Sequence, residues 1–326
     1  MDTLEQATLA DLPDFCFGNA SDVKAGTGCT VIVAPAGATA GVDVRGGAPA
    51  TRETDLLKPE NTVQEIHAIT LAGGSAFGLD ASCGVMEALE ARKIGFELMG
   101  MHVPIVCGAC LFDLPVGDSS VRPDAAMGRA ACEAAFTQAA FEEGNCGAGT
   151  GATCGKMFGP AGTMKSGLGS SAMRFGDLVV GAVVAVNAMG CIHDRDGAPL
   201  AGALGADGKP TAGIPAFLQA AALMQAVQTE ASPLTTNTTI GCIVTNARLT
   251  KAQATKIASI THDAYARTIM PVHSSNDGDA VFCMASATID AEFDIVGVLA
   301  CEAMQQAILR GVRQAKTAYG LLGLAG

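Results

Sequence analysis

The sequence contains no tryptophan, and aromatic residues make up only 4% of its 326 positions. Proteins that hold single-stranded nucleic acid stack bases on aromatic side chains, and that platform is scarce here. Basic residues are few as well. Lys and Arg total 20 against 32 Asp and Glu, for a formal net charge of −12. Such a chain repels a phosphate backbone, so no nucleic acid partner is expected. The longest apolar run, LVVGAVVAVNAMGCI at 178–192, contains Asn187 and falls short of the ~20 residues that a membrane helix needs. No membrane partner is expected. The first residues, MDTLEQATLADLPDF, lack the basic start and apolar centre of a secretory signal. The expected location is the cytoplasm. Histidines number only five and show no HExxH or comparable ligand spacing. Neither a metal nor another cofactor is expected.

Apolar residues, by contrast, reach 49%, glycines number 40 and cysteines 12. This is the composition of a compact, heavily buried protein, and 326 residues suffice for one large domain spanning 1–326. The cysteines are scattered. The one CxxC, Cys107 to Cys110, has no second pair at zinc-site spacing, so the thiols read as small buried hydrophobes.

Runs rich in Val, Ile and alternating apolar residues predict strands over 28–35, 65–72, 177–188, 239–247 and 280–287. Helical spacing predicts helices over 79–93, 124–141, 214–229, 250–266 and 293–318, with Thr250 capping the fourth. The alternation gives an α/β or α+β class. The polar stretch TEASPLTTNTT, 229–239, reads as a surface loop at which a cut chain could stay folded.

Several motifs invite chemistry. GAGTGATCGK, 147–156, resembles a phosphate loop, but Thr150 and Met157 break the P-loop pattern. A structural or substrate-lining loop, including Gly147 and Gly149, is the better reading. LAGGSAFG offers Ser75 after a Gly-Gly turn without the GxSxG elbow; close strand–helix packing and an anion-binding helix start both remain open. Asn187 interrupts an apolar strand and must find hydrogen-bond partners. Asp277 and Asp279 stand two apart before a strand, where they could share one face or simply form an Asp-Gly turn. Lys165 sits among glycines in KSGLGS.

The stretch TTNTTIGCIVTNA, 235–247, places Asn237 and Thr238 directly before a strand. It is either a polar turn or a scissile bond. Attack of the Thr238 hydroxyl on the Asn237 carbonyl, followed by hydrolysis, would free the Thr238 α-amine. With a pKa near 8, that amine can act as general base for its own hydroxyl. An Asn amide suits an oxyanion, a Lys a developing charge, and carboxylates proton handling. Thr238, Asn187, Lys165, Asp277 and Asp279 are the right residue types.

Taken in order, VDVRGGAPATRETDLL, LAGGSAFGLDA, GAGTGATCGKM, MKSGLGS, VGAVVAVNAMG, TTNTTIGCIVTNARLTKAQA and HSSNDGDAVF resemble the L-aminopeptidase/D-amidase-esterase family of N-terminal nucleophile hydrolases, from about residue 20 onward. The resemblance implies a four-layer αββα sandwich. It implies self-cleavage into 1–237 and 238–326, and a homo-oligomer, tetrameric or larger, of the processed units. It further implies Thr238 as nucleophile, Asn187 as oxyanion donor, Lys165 as the lysine of the threonine type, and Asp277 and Asp279 as its Asp/Asp pair, a pattern closest to the nylon-oligomer hydrolase. The substrate would be a small amide or peptide. An acidic residue near the glycine loop would bind a substrate amine, and Glu142 and Glu143 are nearby. Two rivals remain: a non-catalytic scaffold with the same fold, and a nucleotide-dependent enzyme that uses the 147–156 loop.

Overall fold

The computed structural model describes residues 3–137, 140–227 and 237–326. Ten of the described strands form one hydrogen-bonded sheet. They are β1 (Leu4–Ala7), β2 (Cys16–Asp22), β3 (Thr27–Val44), β4 (Ala50–Arg52), β5 (Glu65–Ala72), β6 (Val106–Cys110), β7 (Leu168–Phe175), β8 (Leu178–Ala185), β9 (Ile240–Ala247) and β10 (Ala280–Ile289). Their order is β1-β7-β8-β9-β10-β3-β5-β6-β4, with β2 also on β3. The β9–β10 and β5–β6 pairs are parallel. The helices are α1 (Ala81–Ala91), α2 (Ala125–Thr137), α3 (Gly213–Val227), α4 (Lys251–Thr268) and α5 (Phe293–Arg313).

Side-chain alternation divides this sheet into two stacked layers. In β3, Val31 and Val33 pack with Ala68, Val106 and the α1–α2 residues Val85, Leu89 and Ala131. Their neighbour Ile32 points the other way, into a core shared by Ile69, Leu71, Val183, Cys242, Val244 and Phe282. On the far side Val180, Val184, Ile243 and Val281 meet Ile257, Ala258, Met304 and Ile308 of α4 and α5. The result is the expected αββα order. β3 joins the two layers. Its first half pairs with β2 and β5, its second half with β10, and the register shifts between Val33 and Ala38. That irregularity absorbs Pro35 and Gly37, which is why the strand outruns its expected end at 35.

Thr250 caps α4 as expected: its hydroxyl accepts the Gln253 N–H at 3.2 Å, and Gln253 Oε1 accepts the Thr250 N–H at 2.9 Å in return. Among the described residues α5 alone is long and apolar enough to cross a membrane, and most of it is buried against the sheet. All twelve cysteines are free thiols. Cys107 faces the central core and Cys110 the α1–α2 layer, so the CxxC pair straddles the sheet. Burial pushes the Cys107 thiol up to about 12. Most of the loop expected at 229–239 lies outside the described residues.

Candidate active site

The parallel register of β9 on β10 sets Ile240 opposite Ala280. Extended backwards it bridges Asn237 to Asp277, which brings Thr238 and Thr239 beside Asp277, Gly278 and Asp279. The Thr239 N–H donates to Asp279 Oδ1 at 2.7 Å, and the Ala280 N–H donates to the Thr239 carbonyl at 3.2 Å. The Thr238 hydroxyl donates to the carbonyl oxygen of Asn237. Gly278 lies against that hydroxyl: a Cβ there would stand 2.6 Å from Oγ1. Thr238, Asp277 and Asp279 are all buried. Asp277 Oδ2 accepts the Ser274 N–H at 2.6 Å. Burial, and then the neighbouring Asp279, push the Asp277 carboxyl up to about 6.

Asn187, just past β8, closes the other side. Its carbonyl accepts the Thr238 N–H at 2.8 Å. Its buried amide is satisfied at both ends. Nδ2 donates to the Phe112 carbonyl at 2.9 Å, while Oδ1 accepts the Thr153 N–H at 3.1 Å and Lys156 Nζ at 2.7 Å. Lys156 Nζ also reaches the Asn187 carbonyl at 3.3 Å, so the lysine and the Thr238 N–H share one acceptor. Lys156 is partly exposed overall, but its ammonium is crowded. That desolvation drives it down to about 7 against the pull of Asp277, the largest opposing influence. A cavity of ≈ 340 Å³ adjoins the cluster, lined by Phe112, Thr153, Lys156, Pro160, Tyr319 and Leu321 among others.

The structure thus gathers Thr238, Asn187, Asp277 and Asp279. It does not bring Lys165 to them. Lys165 is fully buried, and its Nζ donates to the carbonyls of Gly149 at 3.0 Å and Ala152 at 2.9 Å, and to that of Ser166. Two carbonyls of the glycine loop and that of the neighbouring Ser166 cage this ammonium, and the lysine that faces Asn187 is Lys156. Gly147 and Gly149 also stand apart from the cavity. A Cβ on Gly147 would meet Thr30 Oγ1 at 2.2 Å, and one on Gly149 the Leu168 nitrogen at 2.0 Å, so these glycines allow close packing. Glu143 is turned elsewhere. It accepts the Ser170 N–H at 2.7 Å and Arg310 Nε at 3.0 Å, in the wall of a separate cavity of ≈ 960 Å³. The Gly-Gly turn at 73–74 is filled by the chain's own carboxylate, for the Gly74 N–H donates to Asp113 Oδ1 at 2.7 Å. Sequence reading passed over Lys156, Thr153 and His273; the only signal for Lys156 was its place at the end of the GAGTGATCGK loop. Among the described residues no group of three His, Cys, Asp or Glu side chains could hold a metal ion.

The family described as Peptidase family S58 matches residues 7–324. The chain belongs to peptidase family S58. An uncharacterized aminopeptidase of Mycobacterium leprae is 42% identical over 272 residues, covering 81% of this chain and 72% of that protein. A 6-aminohexanoate-oligomer endohydrolase of Paenarthrobacter ureafaciens is 36% identical over 288 residues, covering 86% and 75%. In fold, this S58 chain resembles the L-aminopeptidase D-Ala-esterase/amidase of Ochrobactrum anthropi, a variant of the Ntn hydrolase fold, with a TM-score of 0.67 at 17% identity over 96% of this chain and 89% of that one. S58 membership makes the chain a hydrolase of peptide or amide bonds.

Proposed function

We propose that this S58 hydrolase is a self-processing threonine amidohydrolase with Thr238 as nucleophile. The observation that carries the reading is the Thr238 hydroxyl against the carbonyl of the residue before it. In the first reaction Oγ attacks the Asn237 carbonyl carbon. The C–N bond to Thr238 breaks, the nitrogen takes a proton, and an ester joins Asn237 to Thr238 Oγ. Water hydrolyses that ester, leaving an Asn237 carboxylate and a free Thr238 amine and hydroxyl. Lys156, at about 7, has neutral amine available near neutral pH to receive the hydroxyl proton.

In the second reaction the Thr238 α-amine serves as the base. It already has an acceptor in the Asn187 carbonyl. Asn187 Nδ2 spends one N–H on Phe112 and carries a second for an oxyanion. The acyl-threonine formed from a small amide or peptide is then released by water. The proposal includes a cytoplasmic homo-oligomer, tetrameric or larger. Self-association, though not its copy number or the location, is supported by the hairpin of Phe96–Leu98 and Met101–Val103, whose paired Phe96, Leu98, Met101 and Val103 are exposed.

The test is the intact mass under denaturing conditions. Dividing 32.7 kDa by length at Asn237 gives pieces of roughly 24 and roughly 9 kDa, the smaller beginning with Thr. A single, stable 32.7 kDa species would refute self-processing and favour the scaffold reading.

A further inference from the structure

His273 has a left-handed backbone, φ 55°, a conformation that costs a non-glycine residue free energy and that persists where surrounding contacts impose it. The contacts here are specific. Its backbone N–H and its ring Nδ1 both approach Asp279 Oδ2, at 3.2 and 2.9 Å. The other oxygen of the same carboxylate holds the Thr239 N–H. Two buried rings wall the imidazole in: His262 edge-on at 4.7 Å and Tyr265 stacked at 5.9 Å. His262 Nε2 lies 3.0 Å from the Asp43 carbonyl, which can only accept, so His262 is itself fixed with the proton on that nitrogen. For His273 the carboxylate partner likewise puts the proton on Nδ1.

We propose that His273 is a positioning residue for the nucleophile: its Nδ1–H, set by the left-handed turn and the two rings, holds the Asp279 carboxylate in the rotamer that anchors the peptide following Thr238. The inference rests on Thr238 as nucleophile. Asp279 then acts as a splint between a rigid aromatic cluster and the start of β9. Loss of the imidazole donor leaves a buried carboxylate one hydrogen bond short and free to turn away from Thr239.

Three full-length variants separate side chain from backbone. His273→Asn tolerates positive φ and puts an amide N–H near the place of Nδ1. His273→Gln moves that N–H toward the place of Nε2. His273→Gly keeps the backbone conformation and removes the donor. Self-cleavage half-life, and kcat and KM of the mature protein on a small amide, are read for each. The expectation is that Asn stays within about threefold of the parent, while Gly and Gln lower self-cleavage and kcat by about 10- to 100-fold, the scale of an ångström of misplacement, with KM within about twofold. Parent-like rates for Gly, or equal rates for Gln and Asn, would overturn the proposal. If circular dichroism shows that Gly does not fold, the Asn–Gln comparison decides alone. Thr238→Ala is run beside them: cleavage persisting there refutes the nucleophile, whereas parent-like His273→Gly with uncut Thr238→Ala refutes only the role of His273.

Discussion

At Lys156 two opposed influences meet: burial strips the ammonium of water, and Asp277 pulls it back toward the charged form. Desolvation wins and leaves the group near 7. A lysine acting as base must be neutral, so self-cleavage should slow about tenfold per pH unit below 7 and level off above it. An ordinary lysine would extend the rising limb beyond pH 9. Lys156→Met should lengthen the precursor half-life and abolish that limb, whereas an unchanged pH profile in the variant would remove Lys156 from the chemistry. Lys156 also draws down the Asp277 carboxyl, which stands at about 6 in the parent, so the variant should shift that titration upward. The residue scale also shows what spacing could and could not reveal. Thr238, Asn187, Asp277 and Asp279 were legible because each breaks a local rule: a threonine pair opening a strand, an amide inside an apolar run, two carboxylates around one glycine. The lysine was not. Lys156 and Lys165 are nine residues apart, both in glycine-rich sequence, and only the antiparallel pairing of 164–165 with 153–154 turns one into the carbonyl cage and leaves the other facing Asn187.

At the scale of elements, the strands that sequence reading found are those buried through continuous apolar runs, such as β5. Two of those it missed, β2 and β7, carry glycine where a helix comes very close. In β2 a Cβ on Gly18 would lie 2.2 Å from the Ala131 carbonyl of α2, and in β7 one on Gly169 would lie 2.0 Å from the Ala307 carbonyl of α5. Close approach replaces the Val and Ile that mark a strand with small residues, and the period-2 signal fades. The same device operates at the start of β10. Gly278, between Asp277 and Asp279 in the chain, leaves room for the Thr238 hydroxyl, with the Ala48 carbonyl 3.0 Å from any added Cβ. Gly278→Ala should therefore displace Thr238 by a fraction of an ångström to an ångström. Self-cleavage should slow by about 100-fold while far-ultraviolet circular dichroism stays that of the parent. A normally processed Gly278→Ala protein would show that the hydroxyl tolerates displacement, and would count against its role as attacking group.

For the whole molecule, the position of the 237–238 bond matters more than the cut itself. A piece beginning at Thr238 would contain β9, β10, α4 and α5. These are not appended to the rest of the fold. In the sheet β9 pairs with β8 on one side, and β10 with β3 on the other, so the smaller piece is the middle of the sheet and the larger piece supplies both flanks. Separation would open two strand edges and strip apart Val180 and Val184 from Ile243 and Met304, and Ile32 and Val183 from Cys242 and Phe282. Each fully buried aliphatic or aromatic side chain contributes about 1.5–3 kcal/mol, so re-exposing these contacts opposes separation. The cut pieces should therefore co-elute in native gel filtration and part only in denaturant, with no free piece of roughly 9 kDa. Residues 238–326 produced alone should lack cooperative unfolding, because both neighbours of their two-stranded centre are missing. A small piece that elutes by itself, or folds by itself, would mean that the β8–β9 and β3–β10 ladders do not hold the processed protein together.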